Sequence, residues 1–316
     1  MQNIFKQIQP YDAARDEAAV FDLWQKSVGQ EWPVSSSRFH HVLAGPESQH
    51  FVVREEGQVI GFCATFKSVR GSQKVGHLAA LLVSPHKQGR GIGTALHTLA
   101  LKQLSGLSSV QLGSISPRFW CGVPGNLPSA ARFFHARDWN FSETVYDLVQ
   151  DLRGYTTPPH IYQRMERECV SFETATSQSI ADILAFERRE FPNWLMYYQR
   201  YAEMGDYQDL LVARDNNSGH IVGTLVMYSS QSHPSRTDVI WQTTPAATNG
   251  AIGAVGIAAS ERGRGIGIAL VARASDLLEE RGVHDCYIDW VVLTDFYAKL
   301  GYAKWRDYLI SWRTLE

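Results

Sequence analysis

Arg262-Gly263-Arg264-Gly265-Ile266-Gly267 repeats, almost letter for letter, a stretch met much earlier in the chain, Gln88-Gly89-Arg90-Gly91-Ile92-Gly93. Each copy follows an apolar run fit for a buried strand (Leu78 to Val83; Ala254 to Ala259) and opens a helical apolar period (Ala95, Leu96, Leu99; Ala269, Leu270, Ala274, Leu277). The glycines therefore fall at a strand-to-helix turn. There the backbone can approach a bulky anion, and unpaired amides together with the positive end of the helix dipole supply donors and field for a pyrophosphate. Two such turns predict two nucleotide-type sites.

The turns lack the Gly-Lys-Ser/Thr ending of a P-loop and the Gly-x-Gly-x-x-Gly pattern of a dinucleotide fold with its later acidic residue. Both copies instead read Gln/Arg-Gly-Arg-Gly-Ile-Gly, which resembles the acyl-CoA motif Gln/Arg-x-x-Gly-x-Gly/Ala of the GCN5-related N-acetyltransferases (GNAT superfamily). Ala131 to Trp139, with Phe133-Phe134, and Thr294 to Tyr302, with Phe296-Tyr297, resemble the Phe-Tyr-x-x-x-Gly-Phe/Tyr element that closes that fold. The resemblance covers nearly the whole chain. It implies an α/β (α+β) protein of two tandem GNAT domains, each a mixed, splayed central sheet flanked by helices, with acetyl-CoA entering the splay and an amine attacking the thioester. Carried onto matching positions, the coenzyme contacts fall at Val83, Gln88, Gly89, Arg90, Gly91, Ile92, Gly93 and Thr94 in the first copy. In the second they fall at Ile257, Arg262, Gly263, Arg264, Gly265, Ile266, Gly267, Ile268 and Ala269.

Composition agrees with a two-domain enzyme. The 316 residues exceed the size at which single cores stop growing, and 44% hydrophobic content lets each half bury a core. A net charge of −2 leaves no basic footprint for nucleic acid or an anionic membrane. Small-molecule partners and a monomer or weak dimer are expected. The scattered Cys63, Cys121, Cys169 and Cys286 suggest neither a metal site nor a disulfide framework, and with no long apolar run the expectation is a cytoplasmic protein. Aligned on the cradles, the first half reads as a strand over 3–8, a helix over 13–28, a hairpin across Glu56-Gly57 and a strand over 76–83; the second repeats this order. Arg153-Gly154-Tyr155-Thr156-Thr157-Pro158-Pro159 is the best linker. The expected domains are 1–155 and 156–316.

The halves differ where the chemistry is tested. The resemblance puts a tyrosine hydroxyl at the coenzyme sulfur, and Tyr297 matches it, whereas the first half has Phe134. A phenol can protonate a thiolate and phenylalanine cannot. The second cradle strand, Gly250 to Ala258, offers no ionisable side chain, so the base must come from elsewhere. Asp289 follows the run Cys286-Tyr287-Ile288 on the next strand; it reads as the base, directly or through water, or else as a cap for the segment beginning near Val291. Asp238 and Glu190 are the next candidates. The first half offers only His77 on its cradle strand and no acid on Ser109 to Gly113, so its domain is expected to be non-catalytic. It also spaces Gly93 from Phe134 by 41 residues against 30 from Gly267 to Tyr297; the 11 extra fall in the stiff stretch 116–126, read as an interface or pocket wall.

Ile-Asp-Trp followed by Asp-Phe-Tyr, behind a degenerate first domain with Gly-Val-Pro, looks most like two-domain glucosamine/glucosaminide N-acetyltransferases. That resemblance implies an amino-sugar acceptor, with Asp289 as base and Tyr297 as acid. Trp241, Trp290 and Asp238 would line the acceptor site, although buried core tryptophans are the plainer reading of the first two. Mycothiol synthase is a neighbouring relative, and aminoglycosides or peptide amino termini are other acceptors in scope. The rival class is a CoA-binding regulatory or scaffold protein without turnover.

Overall fold

The chain opens on a short helix, α1 (Gln2–Phe5), before strand β1 (Ile8–Pro10), so of the strand expected over 3–8 the first three residues are helical and only Ile8 is strand. This computed structural model describes residues 2–45, 47–70, 72–115, 117–236 and 248–314. Asp12 caps α2 (Ala13–Trp24) by accepting from the Arg15 amide, and the helix continues as a π-turn over Gln25–Gly29. After α3 (Ser36–Leu43), strands β2 (Ser48–Glu55) and β3 (Gln58–Arg70) pair across Glu56-Gly57, both at positive φ as a two-residue hairpin turn requires. Then come β4 (Gln73–Val83), α4 (Ile92–Gln103), β5 (Ser109–Leu112), β6 (Val123–Pro124), α5 (Pro128–His135) and β7 (Glu143–Asp151).

The second half repeats the plan with α6 (Pro159–Arg167), β8 (Val170–Thr174), α7 (Ile180–Glu190), α8 (Leu195–Glu203), β9 (Leu210–Asp215) and β10 (Ile221–Tyr228). It continues with β11 (Asn249–Ile257), α9 (Ile266–Glu280), β12 (Asp285–Val291), α10 (Thr294–Ala298), β13 (Ala303–Ile310) and β14 (Trp312–Arg313).

Two compact units result, one of residues 2–145 with 307–314 and one of 146–236 with 248–306 among those described. Each borrows chain from the other half of the sequence. The first sheet runs β1-β2-β3-β4-β5-β14, its last strand being the end of the chain, paired Trp312 to Gln111 and Arg313 to Val110. In the second, β8-β9-β10-β11-β12 is followed by β7, antiparallel to β12 from Asp151 opposite Asp285 to Tyr146 opposite Val291. The stretch read as a linker lies inside the second unit, where the Thr157 amide and hydroxyl donate to Asp276 of α9.

Helix α9 lays Leu270, Val271, Ala274 and Leu278, all fully buried, against the second sheet together with Leu225, Met227 and Ile252. The leucine and valine side chains contribute about 1.5–3 kcal/mol each on burial, so this face fixes the helix and with it the loop at its amino end. Leu96 and Ala100 of α4 do the same in the first unit.

Candidate functional site

In both units the cradle strand leaves through a single 3₁₀ turn into a loop of the same shape. Gly263 and Gly265 stand at φ 84° and 87°, Gly89 and Gly91 at 76° and 83°, the second of each pair being the amino cap of α9 or α4. L side chains pay about 1–2 kcal/mol in that region, which is why glycine recurs there. Neither helix start has a side-chain cap, and a Cβ added at Gly263 or Gly89 would meet nothing within 4 Å. Open space over uncapped amides suits the diphosphate of a CoA thioester.

The arginine retained in both copies is engaged by carboxylates. Arg90 donates to Glu55 at 2.7 Å, and Arg264 to Glu168 at 2.9 Å, to Glu261 and, at 3.5 Å, to Asp215. Glu55 and Asp215 end the equivalent strands β2 and β9, so the pairing ties each cradle to its neighbouring hairpin. The preceding residue also plays one role twice: Arg262 Nε donates to the carbonyl of Ile257 and Gln88 Nε2 to that of Val83, both at 3.3 Å.

The second cradle has a cation that no motif announced. Arg164 of α6 donates to the Gly263 carbonyl at 2.9 Å, and its guanidinium lies 2.8–2.9 Å from where a Gly265 Cβ would stand. It pairs with no carboxylate among the described residues. Ile4 occupies that place beside Gly91 in the first unit. Gly265→Asp is therefore expected to strain the loop and claim Arg164, weakening coenzyme binding at least about tenfold, the scale of a strained left-handed residue. Calorimetric titration of the folded variant with CoA checks this; unchanged affinity would remove the cradle as a binding element.

Beyond the cradle the sheets split. Strands β11 and β12 pair in parallel only from Asn249 opposite Asp285 to Ile252 opposite Ile288, and β4 and β5 only from Val75 opposite Ser109 to Leu78 opposite Leu112. Asp289 and Trp290 follow the last pair, on a register shift against β7, with Trp290 at φ 53° and its amide donating to Asp147 Oδ1 at 3.3 Å. Across the gap Ala254 stands at φ 48°, where β11 slips against β10 between Thr224 and Val226. Two non-glycine residues in the left-handed region border one opening, a kind of strain that collects at functional sites. By register Gly113 takes the place of Asp289 in the first unit.

A Cβ on Gly267 would meet the Phe296 ring at 3.3 Å, and one on Gly93 the Phe133 ring at 3.2 Å. The closing helices α10 and α5 thus each pack an aromatic ring on the equivalent cradle glycine, and Tyr297 corresponds to Phe134 as the next residue along. Burial pushes the Tyr297 phenol up to about 12, with the Asp289 carboxylate adding to the rise, so the two candidate groups act on one another. Glu190 instead accepts from Arg189 Nε at 2.9 Å and from the Ala259 amide, which holds it below the usual carboxylate range. Trp290 sits half-buried on the bulge, whereas Trp241 and Asp238 lie outside the described residues.

In the first unit a cavity of about 510 Å³ runs from Gln88 and Gly91 past Leu81 to Trp120, Pro124 and Phe134. The 11-residue insertion forms its far wall. Its backbone at Cys121 and Gly122 lies 2.6 Å from a Gly113 Cβ position, Gln111 Nε2 donates to the Cys121 carbonyl, and Trp120 stacks on Trp24 at 4.7 Å. His77 hydrogen-bonds Ser68 at 2.7 Å, and burial lowers it to about 4, so it reads as a neutral structural group.

Duplicated cradle, splayed strands and closing aromatic helix define an acyl-CoA-dependent acyltransferase fold present twice. The model of the acetyltransferase (GNAT) family matches residues 17–133 and 178–302, and the chain belongs to that family, an N-acetyltransferase of tandem build. It is similar to a solved GCN5-related glucosamine N-acetyltransferase region in a fungal multi-domain GH3 β-N-acetylglucosaminidase, 38% identical with TM-score 0.92 over 96% of this chain. The chain spans 38% of that protein's length. It is 23% identical, over 93% of its length and 94% of the relative's, to a mycothiol acetyltransferase of Rhodococcus erythropolis. A tandem GNAT protein from the clavulanic acid biosynthesis pathway, 17% identical, shares the fold over 97% of this chain and 98% of its own, with TM-score 0.63. No helix among the described residues is long and apolar enough to cross a membrane.

Proposed function

We propose that the chain acetylates the primary amine of an amino sugar, glucosamine or a glucosaminide, at the gap of its second unit. The observation that carries this reading is the meeting of Asp289 and Tyr297 there, in a chain 38% identical to the fungal glucosamine N-acetyltransferase region. When bound, acetyl-CoA supplies the thioester carbonyl that an amine attacks. Gly263, Gly265 and Gly267 with Arg164 and Arg262 would hold its phosphates, and the β11 edge from Val255 to Ile257, left unpaired by β12, would hold its pantetheine arm.

Asp289 Oδ takes the amine's proton, directly or through one water. An amino sugar's ammonium is more acidic than a lysine's because the hydroxyls around it withdraw electrons, so a carboxylate is an adequate base near neutral pH. Tyr297 Oη keeps its proton throughout that range, burial having raised it to about 12, and so stands as a donor toward the sulfur side. Trp290 offers an aromatic face to a pyranose at the mouth.

Thiol release from acetyl-CoA, measured across glucosamine, chitooligosaccharide amines, polyamines, aminoglycosides and peptide amino termini, tests the reading; turnover on none of them leaves a coenzyme-binding protein without transfer. The first unit is proposed to be silent, since Gly113 and Phe134 replace the acid-base pair. Gly91→Asp is accordingly expected to leave turnover unchanged in a protein that still folds, as measured by kcat beside circular dichroism. Lost activity at unchanged stability would assign the first unit a catalytic share.

A further inference from the structure

The second unit buries a carboxyl that nothing above uses. Glu187, on the third turn of α7, is fully enclosed. Thr224 of β10 donates its hydroxyl to Oε1 at 2.6 Å, while Oε2 has no hydrogen-bond partner among the described residues. Burial pushes the acid up to about 7, and the Thr224 and Tyr198 hydroxyls beside it offset only part of the rise. An acid with an orphaned oxygen weakens a core, so its presence calls for a reason.

Its neighbours lead to the gap. Tyr198 of α8, itself completely buried, donates to the carbonyl of Ala254 at 3.1 Å. Ala254 is the left-handed bulge residue of β11. Thr224 is the cross-strand partner of Gly256, and the Phe191 ring lies 2.5 Å from where a Gly256 Cβ would stand. These residues therefore hold β11 at Ala254 and Gly256, just past its last pair with β12 at Ile252. A non-glycine residue stays in the left-handed region only where its surroundings over-determine it.

We propose that Glu187, acting through Thr224 and Tyr198, is a positioning residue that fixes the bulge at Ala254 and thereby the width of the gap a CoA thioester must enter. The proposal rests on the acetyl-transfer reading above. The groups facing the carboxyl are Thr224 from β10 and Tyr198 from α8, with Tyr201 beside the latter. On its own helix Arg188 and Arg189 are exposed, Arg189 pairing with Glu190. Because the folded acid holds its proton more tightly than the unfolded one, its contribution to stability is complete below the unfolded value near 4.5 and is lost as pH rises toward 7. Ionisation above that point places an unpaired charge behind the bulge.

Glu187→Gln keeps the size and the Thr224 bond but cannot ionise. It is expected to fold, to gain melting temperature over the wild type increasingly from pH 5 to pH 8, and to lack the fall in kcat near neutral pH that is expected of the wild type. Tyr198→Phe, which frees the bulge carbonyl, is expected to weaken CoA binding and lower kcat by about three- to tenfold at unchanged acceptor KM, the worth of one hydrogen bond. If both variants keep wild-type CoA affinity, kcat and pH profile, the positioning role is overturned even where melting temperatures move. Should the wild type transfer acetyl to no amine, the function reading fails alone, because the CoA affinities of the two variants and their pH dependence still decide the role of Glu187.

Discussion

Asp289→Asn is expected to lower turnover by about 10² to 10⁴-fold, the range a positioned general base contributes. Asparagine keeps the size and hydrogen-bonding reach of the side chain but has no basic oxygen. The bulge at 289–290 is held by its own contacts, the Trp290 amide on Asp147 among them, so fold and CoA affinity are expected to persist. Stopped or steady-state thiol release with the best acceptor, beside a CoA titration, separates the two effects. A loss smaller than about threefold, well under that range, would make Asp289 a turn residue and reopen the search for the base.

Tyr297→Phe is expected to cost about 10²-fold in kcat with little change in CoA binding, since the ring's packing on Phe296 at 4.8 Å survives and only the proton is lost. The sign of the phenol's shift matters here. Raised to about 12, it stays protonated from acid to well beyond neutral, so wild-type turnover should show no alkaline decline due to Tyr297 below that value. Wild-type kcat in the phenylalanine variant would mean that solvent or another group protonates the leaving sulfur. The same substitution occurs naturally at Phe134, opposite a register position with no side chain at all, Gly113.

The duplicated cradle and the closing Phe-Tyr element made the tandem acetyltransferase plan legible in the sequence, because glycine at a left-handed turn and an apolar period after it are local signals. Tyr297 and Asp289 stand out in the sequence by motif position on adjacent elements, and in the structure the carboxylate lies near enough to add to the rise of the phenol. Arg164 and Glu187 do not stand out in the sequence. Both act on the second unit's opening from helices far away in sequence, and an exposed arginine or a single acid on an amphipathic helix has no pattern that separates it from a surface charge. Burial alone singles out Glu187, and burial needs the fold. The retained Arg90 and Arg264 carried a second lesson: repetition marked them as important, yet carboxylates from neighbouring elements surround both. The opening helix reads as strand in the sequence because a segment of four residues carries too little period to distinguish the two.

Strand β7 is encoded before the rest of the second unit and stands beside β12 in its sheet; β14 is encoded after that unit and completes the first. If the first domain is silent, as proposed, it would ordinarily be disposable, free to be trimmed from the gene without harm to its neighbour. Here deletion of either half would strip a strand from the survivor and leave a raw sheet edge, a template for aggregation. On the ribosome the first sheet must wait, one strand short, until Trp312 and Arg313 emerge. Such reciprocal lending makes the two halves a single heritable object, and gives the first domain a reason to stay that owes nothing to its own pocket.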